Sequence, residues 1–250
     1  QPDMDAAQNM MTQYYTMLQG KESNPLSWYA DSVSSTLYGN NPRNIVMKKE
    51  LLPAISYQRA LEIWADRFAD ASDFTFFFVG TFDEDTLSKY CCQYLATLPT
   101  VKRNDKPVYT DLVIRKGNIQ NIYKAKMEQP QAMASLIMHA PAKKKNLKDE
   151  IVMSILGQAM QMNYTKTIRE DEGGTYGVGT SMLAQRSPME RLLTQIYFNT
   201  NPESVEKLSS LAAKGLKDLA ENGPTAEHFN MAIENLKKNI PESRINNGYW

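Results

Sequence analysis

Two side chains in Ile168-Arg169-Glu170-Asp171-Glu172-Gly173-Gly174-Thr175-Tyr176-Gly177-Val178 have the types and spacing to do chemistry together. The pattern predicts Arg169 at the end of a helix. Tyr176 follows seven residues later, across a glycine-bearing turn into a strand. Arg presents a rigid fork of always-charged donors suited to carbonyls and carboxylates. A Tyr hydroxyl can donate to a developing oxyanion while its ring stays packed. Gly173 and Gly174 are the expected turn-formers, free to bring both groups to one surface. Taken alone, the same residues also fit a bland reading. Arg169 could pair with Glu170, Asp171 or Glu172, and Tyr176 could be a strand residue over a core.

A complete catalytic set is missing from the rest of the chain. Zinc hydrolysis needs at least three protein ligands and usually a Glu to manage the water's protons. The chain has two histidines, His139 and His228, and neither His-Glu-x-x-His nor its inverse His-x-x-Glu-His. Its two cysteines, Cys91 and Cys92, are adjacent on a predicted helix. They fit neither a zinc cluster nor a disulfide framework and read as structural thiols. No Gly-x-Ser-x-Gly elbow, dinucleotide fingerprint or phosphate loop is present. No metal ligand is therefore expected in this chain.

Composition narrows the partners. Lys plus Arg and Asp plus Glu are 28 each, for zero net charge over 250 residues. That argues against a phosphate-dominated nucleic-acid binder and a polybasic membrane anchor. No apolar run approaches the roughly 20 residues of a membrane span. The first residue, Gln1, is not Met, so a fragment or processed product is expected.

The elements that must position Arg169 and Tyr176 read as mixed helices and strands. The first 50 residues are predicted helical, with Met10, Met11, Tyr14, Met17 and Leu18 on one apolar face and Pro25 opening a second helix. Another helix runs from Ser56, with Tyr57, Ala60, Leu61, Trp64 and Phe68 in register. Phe74-Thr75-Phe76-Phe77-Phe78-Val79 predicts a buried central strand. A helix to Leu98 follows, and residues 100–107 read as a polar linker. Strands are predicted at 109–115, 119–127, 132–140, 175–184 and 189–199, and a basic loop at 142–146. A long helix over 149–168 and two closing helices, opened by Pro202 and Thr225, complete the reading. The expected class is α+β, a mixed or mostly antiparallel sheet packed on helices.

Four short motifs then recur in order. They are the helix Tyr57–Phe68, Phe-Phe-Val-Gly-Thr-Phe-Asp at 77–83, Tyr-Leu-x-x-Leu-Pro at 94–99, and Ile168-Arg169-Glu170-x-x-Gly-Gly-Thr-Tyr-Gly. In these the chain resembles the C-terminal, non-zinc-binding half of the pitrilysin/insulin-degrading-enzyme family of zinc metallopeptidases, most strongly from about Ser56 to Leu236. The resemblance implies a fold like the mitochondrial-processing-peptidase-like metallohydrolase domain. It implies a helical tail of a preceding domain at 1–54 and a peptidase-family domain at 55–250, truncated at its end.

It further implies that zinc sits in an absent N-terminal half, or in a partner subunit, and that this half closes a chamber over it. Arg169 would then bind peptide backbone, and Tyr176 would hydrogen-bond the scissile carbonyl or oxyanion across from the zinc. The implied partners are that zinc-binding half and a peptide substrate, with no nucleic acid and no membrane span. Bacterial members suggest export, for instance to the periplasm. A non-catalytic scaffold subunit of the same family is the alternative.

Overall fold

The structure is a computed structural model that describes residues 2–39, 41–101, 103, 106, 113–142, 146–186 and 189–249. Helices α1 (Met4–Glu22), α2 (Pro25–Tyr38), α3 (Tyr57–Phe68), α4 (Glu84–Tyr90), α5 (Leu147–Tyr164), α6 (Val205–Asn222) and α7 (Ala226–Ser243) accompany strands β1 (Ala132–Pro141), β2 (Val178–Gln185) and β3 (Arg191–Thr200). They divide into two compact units. One holds Gln1–Asn24, Met47–Thr110 and Glu242–Trp250, the other Pro25–Val46 and Asp111–Pro241.

In the first unit, local capping starts the helices. The side chains of Asp3, Ser56 and Asp83 accept from backbone N–H groups in the first turns of α1, α3 and α4. Tertiary burial of these helices is slight. Of the apolar face expected on α1, only Leu18 is buried, and α3 buries none of its residues. The expected buried strand at 74–79 is corrected. The segment forms no regular secondary structure and is exposed, with no strand partner among the described residues.

The linker reading of 100–107 also changes, as far as Val101 and Arg103 show; half of that stretch lies outside the described residues. Asp70 is only 2% exposed. It accepts from the backbone N–H of Ser72 at 3.0 Å, Val101 at 3.0 Å and Arg103 at 2.6 Å. The Arg103 guanidinium reaches back to the Asp66 carboxylate at 3.1 Å. A single buried carboxylate thus pins the chain that leaves α4 to the end of α3. Sequence reasoning missed it because its partners are main-chain groups.

Burial pushes the Asp70 carboxyl up, but the donated hydrogen bonds outweigh burial and hold it at about 2. A depressed folded value contributes stability above the unfolded pKa, near 3.8, and loses it as pH falls through about 2. The urea midpoint should therefore drop between pH 4 and pH 2, and Asp70→Asn should flatten that drop. Equal pH dependence in the two proteins would contradict this account.

The second unit is built on a three-stranded antiparallel sheet of order β1-β3-β2. Pairing runs from Ala132↔Thr200 to Pro141↔Arg191 on one side and from Val178↔Phe198 to Gln185↔Arg191 on the other. The α+β expectation holds. The strands expected at 132–140, 175–184 and 189–199 are present within a few residues of their expected ends. Those at 113–115 and 119–127 are not, because that backbone forms no ladder. Residues 109–112 and most of the basic loop at 142–146 lie outside the described residues.

Side-chain alternation sends Leu192, Ile196 and Phe198 of β3 to one face. There they pack with Val178 and Met182 of β2, Met153, Met160 and Tyr164 of α5, and Leu208 and Ala212 of α6. The fully buried Tyr164 hydroxyl donates to the Ala212 carbonyl at 2.5 Å. Burial, aided by the nearby Asp218 charge, pushes its phenol well above the usual range.

Gly215 lets α6 approach α5, since a Cβ there would lie 2.6 Å from the Tyr164 ring. Gly215→Val should cost about 2–3 kcal/mol, as overpacking of a fixed core does. A denaturant titration checks it, and an unchanged midpoint would show that the ring can retreat.

Candidate functional site

The helix that carries Arg169 does not end at Tyr164. It widens into a π turn over Thr165–Glu170, closed by the Asp171 N–H donating to the Lys166 carbonyl at 2.9 Å. Such π segments recur at functional positions because they re-aim side chains off a regular helix. Ile168 in this turn is fully buried and anchors it to the core, while Arg169, the next residue, is exposed.

The two glycines do different work in the turn. Gly173 takes a left-handed φ of +59°, which disfavours any residue with a Cβ. Gly174 has ordinary φ but lies against α6, where a Cβ would meet Leu208 at 3.0 Å. Its carbonyl accepts from the Thr200 hydroxyl at 2.5 Å, which ties the turn to the end of β3. Thr175 is buried, and its hydroxyl donates to the Gly177 carbonyl at 2.8 Å and accepts from the Gly177 N–H at 3.1 Å. That closed loop brackets Tyr176 and leaves its side chain fully exposed. Gln161 of α5 then clamps the first residues of β2, accepting from the Thr180 N–H at 2.9 Å and donating to the Val178 carbonyl at 2.7 Å.

Tyr176 is thus not a strand residue over the core. Among the described residues, the side chains of Arg169 and Tyr176 make no hydrogen bond or ion pair, to each other or elsewhere. Glu172 instead pairs with Lys207 of α6. Both candidate side chains stand free on a turn that is fixed from beneath.

Tyr197, which sequence reasoning passed over, lies opposite Gly179 on β3. Its ring fills the space where a Gly179 Cβ would sit, with the nearest ring carbon 2.2 Å from that position. The signal for it was the glycine of Gly177-Val178-Gly179, an unusual residue for a strand interior. His139 and His228 stay apart from the turn. His139 lies on β1 with Nε2 3.4 Å from the Arg115 carbonyl, and His228 lies in the first turn of α7. Cys91 and Cys92 are unbridged. Among the described residues, no group of three or more His, Cys, Asp or Glu could hold a metal ion, and no helix is long and apolar enough to cross a membrane.

A family model described as the Peptidase M16 inactive domain matches residues 54–236, well over half of the chain. The chain belongs to the M16 peptidase family. The M16 match is to the domain type that lacks the zinc motif, in keeping with the resemblance to the C-terminal half.

A zinc protease PQQL-like protein of Arabidopsis thaliana is 21% identical over 93% of the chain and 26% of its own length. The periplasmic protease PqqL from Escherichia coli superposes with TM-score 0.81 at 18% identity, over 95% of this chain and 26% of that one. The ferredoxin protease FusC, solved with Arabidopsis ferredoxin, gives TM-score 0.68 at 17% identity, over 94% and 26%. An M16 inactive domain from Pseudomonas fluorescens gives 0.66 at 18% identity, over 94% and 56%. At such identities the structural likeness concerns the fold. The chain spans about a quarter of the length of the curated relative it matches.

Proposed function

We propose that this chain is the chamber-forming, substrate-binding part of the C-terminal half of a zinc metalloendopeptidase that hydrolyses peptides. Membership in the M16 inactive-domain family supports the reading. The observation that carries it to particular residues is the turn itself. Tyr176 is fully exposed on a loop held by Thr175, Gly173 and Thr200, with Arg169 exposed at the preceding π turn.

A rigid support under free donor groups is the arrangement that electrostatic catalysis requires, since preorganised donors need no reorganisation as charge develops. Arg169 holds the peptide backbone of the substrate. The Tyr176 hydroxyl donates to the scissile carbonyl oxygen as it becomes negative. Zinc, which activates the water when bound, belongs to the N-terminal half or to a partner subunit, because the chemistry of a zinc site calls for ligands this chain's motifs do not offer. Export to the periplasm follows the description of the E. coli relative.

The test uses the intact longer protein and a peptide substrate. Arg169→Ala should raise KM and lower kcat/KM about 10- to 100-fold with zinc content unchanged, the cost of losing a charged backbone clamp. Normal turnover in Arg169→Ala and in Tyr176→Phe would sink the reading. An intact wild-type protein with neither zinc nor turnover would favour the scaffold alternative.

A further inference from the structure

The carboxamide of Gln161 bonds to both arms of the turn between Arg169 and Tyr176. Its nitrogen donates to the Val178 carbonyl at 2.7 Å, and its oxygen accepts from the Thr180 N–H at 2.9 Å. Those two backbone groups lie on the edge of β2 turned away from β3, where a further strand would bond. The side chain stands in for one peptide unit of such a strand. A carboxamide can do this because it holds a donor and an acceptor together; a carboxylate only accepts, and an alkyl chain does neither. The same nitrogen donates to the Thr165 hydroxyl at 3.4 Å, and that hydroxyl donates to the Gln161 carbonyl at 2.8 Å. Thr165 opens the π turn that carries Arg169.

We propose that Gln161 is a positioning residue, which sets the spacing between Arg169 and Tyr176 so that one substrate meets both. This rests on the roles proposed above for those two side chains. The other bonds at the turn do different things. The Thr175 hydroxyl shapes the loop around Tyr176, and the Thr200 hydroxyl ties Gly174 to β3. Neither bond reaches α5. Gln161 links β2, which starts just past Tyr176, to the helix that runs on into Arg169.

The two groups differ in how much misplacement they tolerate. Arg169 is exposed on a long side chain, and its fork of donors can follow a substrate backbone that shifts. The Tyr176 hydroxyl must reach one oxygen as charge develops on it, and a shift of about 1 Å there costs on the order of 100-fold in rate. Loosening the link between β2 and α5 should therefore lower kcat and leave KM nearly unchanged. A side chain that only blocked the edge of β2 from further pairing would affect stability and association, not kcat.

A double-mutant cycle in the intact longer protein tests it, with a peptide substrate and zinc analysis. Gln161→Met keeps the length of the side chain and removes its hydrogen bonds. It should lower kcat about 10- to 100-fold, with KM within about twofold and zinc unchanged. In a Tyr176→Phe background the same change should cost less than about threefold, because the hydroxyl it positions is already gone. Should Gln161→Met not fold, Gln161→Glu takes its place. It keeps the acceptor for Thr180, loses the donor to Val178, and should show the same coupling to Tyr176. Leu219→Ala serves as the stability control. Leu219 packs on the core from the end of α6 opposite to Leu208, and its loss should lower the denaturation midpoint with kcat intact. Wild-type kcat in the Gln161 variant, an equal fold-loss in both backgrounds, or an equal loss in Leu219→Ala would each overturn the positioning role. If Tyr176→Phe is itself impaired, any of these rejects Gln161 alone. Normal turnover in Tyr176→Phe rejects the role of Tyr176, and this inference with it.

Discussion

Tyr176→Phe should lower the peptidase kcat/KM of the intact protein about 100- to 1000-fold, the usual effect of removing one preorganised oxyanion donor. The change deletes a single oxygen. The ring remains, and the hydroxyl has no partner here to lose. The turn is held by the Thr175 hydroxyl, the Gly173 conformation and the bond from Thr200 to Gly174, none of which involves the Tyr176 side chain. Stability and zinc content should therefore stay at wild-type values. The loss should fall on kcat as much as on kcat/KM, because the hydroxyl is asked to bind the charged oxygen more tightly than the neutral carbonyl. Steady-state kinetics with metal analysis measures all three quantities. A rise in KM with unchanged kcat would mean that Tyr176 only holds substrate.

Phe198→Ala should have the largest effect on stability, about 3–5 kcal/mol, within the range for removing a buried aromatic. Phe198 is 2% exposed, in the cluster that joins β2 and β3 to α5 and α6. It also lies in register with Val178, the first residue of β2 after the Tyr176 turn. The cavity would thus open beneath the turn's exit. Unfolding of the second unit should shift to lower denaturant, and the amides of Val178–Ser181 should lose protection before those at the far end of β2. A uniform loss along β2 would show that the turn is not seated through this pair. Tyr197→Phe makes a useful control, since it removes a hydroxyl from the exposed face and leaves the core intact.

Local patterns carried much of this protein. The period of apolar residues in 149–168, 175–184 and 189–199 marked a helix and two strands. Two short strands that alternate and follow each other closely pair as an antiparallel ladder because little chain separates them. The Arg169-to-Tyr176 spacing and Gly173-Gly174 marked the turn, since few residues other than glycine hold a positive φ cheaply. Four ordered motifs were enough to name the family.

Other features depended on partners distant in the chain. Asp70 looked like one acid among many, and became a pin only because the N–H groups of residues 101 and 103 come to meet it. Tyr176 read equally well as a core-facing strand residue. Its exposure was decided by the Thr175 and Gly177 bonds, which hold the chain out of the ladder for two more residues. The segment 74–79 shows the division most plainly. Aromatic content and length predict a buried strand there, and the structure has neither strand nor burial. Whether it is buried depends on which segments pack against it, and contact between distant segments is a property no local pattern contains.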